Sequence, residues 1–387
     1  MTYRGGTFRS QGDVHVAGSL DTFAVTTSLY GQVDKRARER SLKLTFIPDG
    51  EWSNLGVLWP YAATPFGTFI TPQLQFGAIS SNQVNVGSTA NNLMSGDAFV
   101  AQVQGSGTIT NGIVAGTTYY LHIISSTNIS IHSTYANAVA GINPLTISAG
   151  SGTTQAIVNN PLTIQTLDGD LWTFNNAAVT RMPNLSLSTV RTAMRECEFE
   201  AFASDGTDWS VVNSLYTYAS NPWPGDTGFN PTNILVGEIQ AIWRNMAAPW
   251  ALFDTKEGWE VNFNMALEPV SVDNVGILTR KLSNLEVTAT AIPVGVKPSD
   301  VATAMRMQGA NSARGMSLAA AGNDLLLSAT ANNLGCKIFN AAIESAHGIG
   351  VFSNRLDRVG PVTWAATRLF SGTGPNPLFS IGNTQVT

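Results

Sequence analysis

The chain has 387 residues, of which only 12% are charged, with 36 glycines and a formal net charge of −5. That length suits two or three domains, and so sparse a charge suits a surface covered by other copies of the chain. The acidic balance excludes a general electrostatic grip on nucleic acid, which needs a basic face.

From the N-terminus, "MTYRGGTFRSQGDVHV" has no apolar core of signal-peptide length, and no segment reaches the length of an apolar membrane span, so a soluble protein made in the cytoplasm is expected. "DTFAVTTSLYG" reads as a strand, and "DKRARERSLKL" before "TFIPDGEW" as a strand entered from a charged loop. Lys35, Arg36, Arg38, Arg40 and Lys43 in that segment are candidates for contact with acidic groups on a neighbouring subunit; as a solvated edge they would discourage wrong strand pairing. In "WSNLGVLWPYA", Leu55, Leu58 and Trp59 lie at helical spacing, ended by Pro60.

From residue 86 to 155 Lys and Arg are missing, and "DAFVAQVQGSG", "GTTYYLHIIS", "NISIHST" and "LTISAGSG" recur at the spacing of a small antiparallel β domain. This segment is expected to be a separable insertion, because the host pattern resumes at "PLTIQTLDGDLWTFNNAAVTRMPNLSLS" and a surface insertion is tolerated where the host's chain ends lie close together.

In "RECEFEAF", period-two alternation puts Glu196, Glu198 and Glu200 on one strand face and Cys197, Phe199 and Ala201 on the other. Carboxylates in a row repel, so that face is expected to meet a water-filled channel, open solvent or a basic partner. "RMPNLSLS", Arg181 to Ser188, is echoed by "RKLSNLEVTA", Arg280 to Ala289, with Asn184-Leu185 opposite Asn284-Leu285. Two such strands, each opened by a basic residue, suggest two related domains. Beyond the turn-rich "YASNPWPGDTGFNPTN", strands are expected in "LVGEIQAIW", "GWEVNFNMALEPVSV", "SNLEVTATAIPVG", "DLLLSAT", "CKIFNAAIESA" and "RVGPVTWAATRLFS". "KPSDVATAMRMQGAN" has the signals of a short helix, with Pro298 and Ser299 at its start and Gly309 past its end.

Catalytic motifs are scarce. His15, His122, His132 and His347 show no two-ligand helical spacing, and Cys197 and Cys336 are unlike the closely spaced pairs that bind zinc or build a disulfide framework. "GSGTIT" and "GIGVFS" lack the third glycine of a dinucleotide fingerprint, and no GxSxG elbow occurs. Asp168, Asp170, Asp205 and Asp208 sit in Gly-containing turn sequences, where Asp commonly bonds the backbone. Neither an enzyme nor a cofactor is expected.

The ordered features resemble the major tail tube proteins of long-tailed bacteriophages. The resemblance rests on "FIPDGEWSNLGVLWPYA", "DGDLWTFNNAAVTRMPNLSLSTVRTAMRECEFEAF", "KLSNLEVTATAIPVGVKPSDVATAMRMQG" and "LDRVGPVTWAATRLFS", roughly a quarter of the chain. It implies a mainly β protein with a few short helices: two β-sandwich-like, barrel-forming tube domains, one from 1–85 and 156–216 and one from 217–387, with a small immunoglobulin-like β insertion at 86–155. It also implies a structural virion role without a cofactor. Copies of the chain would form stacked rings of three, pseudo-sixfold because each chain carries two tube domains, or of six. DNA would pass inside transiently, other phage tail proteins would be partners, and Glu196, Glu198 and Glu200 would face the lumen. The competing expectations are a capsid decoration or baseplate protein, and a carbohydrate-binding β protein using Trp223, Trp243 and Trp250.

Overall fold

The computed structural model describes residues 1–4, 6–26, 33–49, 55–62, 64, 70, 73–87, 93–104, 108–158, 160–166, 169–187, 192–202, 215–220, 239–243, 250–252, 254–272, 276–294, 322–329, 334–346, 360–367, 370–371, 374–375 and 377–383. The helix expected from Pro298 to Gly309 lies outside them, as does Trp223.

The chain opens with β1 (Thr2–Tyr3), β2 (Gly6–Thr7), β3 (His15–Thr26) and β4 (Val33–Phe46), then a short 3-10 helix at Leu55–Leu58. The basic cluster therefore lies within a strand and not in a loop that precedes one. Next come β5 (Gln73–Gln75), β6 (Ile79–Ser80), β7 (Gln83–Asn85), β8 (Ala98–Gln104), β9 (Thr118–Ile123), β10 (Asn128–His132), helix α1 (Tyr135–Ala140) and β11 (Thr153–Val158). The seven strands form one sheet in the order β5-β11-β8-β9-β10-β7-β6. "LTISAGSG" adds only an isolated bridge, Asn111 to Ser148.

The sheet reaches past the expected insertion at both ends, from Gln73 to Val158, and Gln73 lies opposite Ile157. The chain thus enters and leaves side by side, the geometry a tolerated insertion needs. Its core is its own: Leu74, Val84, Phe99, Leu121, Ile129 and Ala156 are fully buried in one cluster.

Then follow β12 (Leu162–Gln165), β13 (Asp170–Phe174), β14 (Ala177–Arg181), β15 (Leu185–Leu187), β16 (Thr192–Met194), β17 (Cys197–Phe202) and β18 (Tyr216–Ser220). The remainder comprises β19 (Ile239–Trp243), β20 (Trp250–Leu252), β21 (Asp254–Val272), β22 (Gly276–Val294), β23 (Asn323–Ala329), β24 (Leu334–Ala346), β25 (Val362–Ala366), β26 (Phe370–Ser371), β27 (Gly374–Pro375) and β28 (Phe379–Asn383). They build a five-stranded sheet, β18-β13-β12-β1-β2, a four-stranded sheet, β14-β17-β4-β3, and a ten-stranded sheet, β16-β15-β21-β22-β25-β24-β23-β19-β20, with β28 on β24. The protein is mainly β with antiparallel sheets, and one sheet curls strongly into a half-barrel.

Alternation explains the packing. Val261, Phe263, Leu285, Val287 and Ala289 point into the core, while Glu260, Asn264, Asn284 and Glu286 point out. One buried cluster holds Phe46 and Phe199 together with Val261, Trp364 and Phe379, so residues on both sides of the expected boundary at 217 share a single core. The echoed strands do not fall in separate domains: Leu185 pairs with Val261, and Val261 pairs with Ala289, so they flank β21 in one sheet.

Two hairpins run past their neighbours. β3 and β4 pair from His15–Thr45 to Thr26–Val33, yet β17 joins β4 only over Ser41–Phe46. β21 and β22 pair from Asp254–Val294 to Val272–Gly276, yet β15 reaches only Trp259–Val261 and β25 only Thr288–Ala291. Among the described strands, the far part of each hairpin is a two-stranded ribbon.

Candidate functional site

The acidic strand β17 sits between β14 and β4, and its register sets Glu198 opposite Arg181 and Glu200 opposite Lys43. Phe199 is fully buried on the other face, stacked on Phe46 with ring centres 5.8 Å apart. Glu196 stands just before β17 and Glu198 and Glu200 lie within it, and the three have different surroundings.

Glu196 is 49% exposed and accepts from Arg181 Nη2 at 2.6 Å. Glu198 is 21% exposed, accepts from Thr180 Oγ1 at 2.9 Å, and lies 3.5 Å from Lys43 Nζ and 3.6 Å from Arg181 Nη2. Glu200 is only 1% exposed and takes a two-pronged grip from Arg280, Nε to Oε2 at 2.5 Å and Nη2 to Oε1 at 3.0 Å. The expectation that all three carboxylates face a channel is corrected at Glu200, which is buried within its own chain. A buried carboxylate needs its charge matched by donors, and Arg280 supplies them.

The matching residues are the ones that open the echoed segments. Arg181 begins "RMPNLSLS" and holds Glu196 and Glu198; Arg280 begins "RKLSNLEVTA" and holds Glu200. The echoed asparagines work beside them: Asn184 Oδ1 accepts the Phe263 amide at 2.8 Å, and Asn284 Nδ2 donates to Glu286 at 3.1 Å. Sequence reasoning found the acidic row and the echo separately and missed that they are one construction. Only the basic residue at the head of each echo hinted at it.

An open concavity of about 1170 Å³ lies between these strands. Buried Met182, Met194 and Phe263 contribute to its lining, with Arg181, Glu196, Asn262, Asn264, Asn284 and Glu286 as polar walls. Uncharged amides and charged groups are equally represented among those walls. Among the described residues, no group of three or more His, Cys, Asp or Glu side chains is placed to hold a metal.

Of the basic segment, Lys35, Arg36 and Arg40 lie on β4 opposite Ala24, Phe23 and Leu20, and Arg38 lies at a register shift between them; their side chains fall outside the described part. Lys43 is described and contacts Glu198 of its own chain. The side chains of Trp243 and Trp250 are likewise outside it.

A second construction joins the insertion to the body. Arg4, in the turn between β1 and β2, bonds Asp97 at the start of β8 through Nε to Oδ1 at 2.6 Å and Nη2 to Oδ2 at 2.5 Å, with side-chain exposures of 7% and 1%. Burial works against the Arg4 charge, and the Asp97 carboxylate overcomes it, so its pKa lies above the ordinary value. Asp97 also accepts from the Met94 amide at 2.8 Å, and the Tyr135 hydroxyl of α1 donates to the Arg4 carbonyl. Both free cysteines are buried, and burial pushes the Cys336 thiol up to about 12, which makes it inert as a nucleophile near neutral pH.

No protein-family model matches the chain, and a search of curated proteins finds no relative. No helix among the described residues is long and apolar enough to cross a membrane.

Proposed function

We propose that the protein is a structural subunit of a phage tail tube, three chains closing a pseudo-sixfold ring that stacks on others to form a channel for the genome. The observation that carries this reading is the pair of long hairpins, β3–β4 and β21–β22, each ending in a two-stranded ribbon. Beyond the neighbouring strands such a ribbon leaves sheet edge unpaired, and open edges recruit further strands. Neighbouring copies in a closed ring supply those strands and leave no edge exposed. Two ribbons per chain supply six per ring of three.

The wetted strip with Glu196, Asn262, Asn264, Asn284 and Glu286 is the part suited to a channel wall. Its amides stand beside carboxylates, of which Glu196 is paired with Arg181, and so it lacks the basic surface that would hold a phosphate backbone in place. Localisation to the virion follows from the same proposal.

Electron microscopy of the purified full chain tests it. Hollow cylinders with three chains per ring are expected, and a variant in which an Asn-Gly turn replaces residues 270–279, leaving Arg280 on Glu200, should stay monomeric. A wild-type chain that remains monomeric at high concentration would sink the tube; closed small oligomers would favour a decoration or baseplate role; six whole chains per ring would sink the threefold count.

A further inference from the structure

We propose a carbohydrate-binding patch on the five-stranded sheet at β18 and β13, taking a neutral pyranose oligosaccharide. On β13 and β18 the paired residues Trp172–Tyr218 and Phe174–Tyr216 share one face with Asp170, whose register partner is Ser220. Phe174 is buried, whereas Tyr216 is 44% and Tyr218 54% exposed. The ring of Trp172 lies 5.0 Å from that of Tyr218 and 5.4 Å from that of Tyr216, inclined to them by 62° and 39°. The Tyr218 hydroxyl donates to Asp170 Oδ1 at 2.6 Å, which fixes the phenol beside a carboxylate with acceptor capacity left over.

Tyrosine and tryptophan, apolar in body and polar at one end, are enriched where a surface binds a partner. The two tyrosines together expose roughly 200 Å², taking about 150–250 Å² for a whole aromatic side chain, against about 800 Å² per partner in a stable protein interface. That area fits one or two sugar rings and not a second copy of the chain. The chemistry agrees: the electron-rich ring faces suit the C–H face of a pyranose, and Asp170 accepts from its hydroxyls. A nucleobase could also stack here, but its phosphates would meet the Asp170 charge on a chain that is already net negative.

The test is saturation-transfer NMR on the full chain with maltohexaose, cellohexaose and galactohexaose at millimolar concentration, with tryptophan fluorescence as the second readout. At least one hexasaccharide should receive saturation at its ring C–H protons. Tyr216→Ala and Tyr218→Ala, at exposed positions, should weaken binding at least about tenfold with unchanged melting behaviour. Asp170→Asn should weaken it less, and Tyr135→Phe on the insertion should not change it. Absence of transfer to all three sugars, binding that survives both tyrosine changes, or binding of oligothymidylate in their place would each overturn the proposal.

Discussion

The insertion and the ribbon ends of the long hairpins are both antiparallel β structure, yet they treat their surroundings in opposite ways. In the insertion, seven strands close over one core, and buried polar groups find partners inside it: Thr110 bonds Thr154 at 3.0 Å, and His132 lies between Ser130 Oγ at 2.9 Å and the Ile142 carbonyl at 2.9 Å. The ribbon of β21–β22 puts Ala266, Glu268 and Pro269 in solvent, and no third described strand runs beside Met265–Val272. One region pairs these buried threonine and histidine groups within itself, reaching the body through Asp97 and Arg4, and the other, among the described strands, presents unfinished sheet. The difference teaches that antiparallel β structure is autonomous or dependent according to how many strands accompany it.

The strongest way to break this comparison is to disturb the body while sparing the insertion. Arg280→Ala leaves Glu200 buried without its counter-charge, a change that costs about 3–5 kcal/mol. Thermal unfolding should show the body's transition falling sharply while the insertion, with its separate core, keeps its own. A concerted fall of both transitions would mean that the insertion is not autonomous.

Next in size is the junction. Asp97→Asn keeps the volume but removes the charge that Arg4 and the Met94 amide both bond, for a loss of roughly 1.5–3 kcal/mol. Calorimetry should find the insertion and body unfolding further apart, because this contact is a main tie between them. If the transitions draw together, the tie lies elsewhere.

A smaller effect tests the insertion alone. Burial holds His132 below its ordinary pKa, with nearby His122 adding to the depression and hydrogen bonds to the Ile142 and Asn143 carbonyls opposing it. As pH falls, the unfolded chain therefore binds this proton before the folded one does. The stability that neutral His132 contributes is complete above about pH 6.5 and is lost as pH drops through that value toward the lower folded pKa. Hydrogen exchange should show the backbone around α1 opening more readily near pH 5 than near pH 7.5, and His132→Asn should flatten that dependence.

Much of this was legible in the sequence, and the failures have physical causes. Period-two alternation located β17, β21 and β22, because one face of each strand is buried. The run without basic residues falls within a segment that has its own sheet and buried cluster, but the edges of that sheet were not legible, since Gln73–Gln75 and Thr153–Val158 look like any short strand until their pairing is known. Helix α1 was missed: six residues are too few for a periodic signal, although Thr134 caps its start and Gly141, with φ at 66°, caps its end. The burial of Glu200 could not be read from "RECEFEAF", because its partner stands 80 residues away. Alternation tells which side of a strand a residue takes, and only the fold tells what covers that side.

The smallest expected effect separates the two ends of the acidic row. Arg181→Ala removes the partner of Glu196, but both side chains are 49% exposed, so water replaces the contact and the loss should be about 1 kcal/mol or less. Glu198 keeps Thr180 and Lys43. The change therefore acts on charge more than on folding: each chain gains one uncompensated negative group on the wetted strip. In the proposed ring those groups repel through water, weakly at physiological salt, where the Debye length is about 8 Å, and more strongly as salt is lowered. Tube formation by Arg181→Ala should match wild type at physiological salt and lag behind it in dilute buffer, as followed by light scattering, and Glu196→Gln in the same chain should restore it. A defect that ignores salt would show that Arg181 holds the strands together in a way its exposed geometry does not account for, and the wetted strip would then belong to the framework of the subunit and not to its channel.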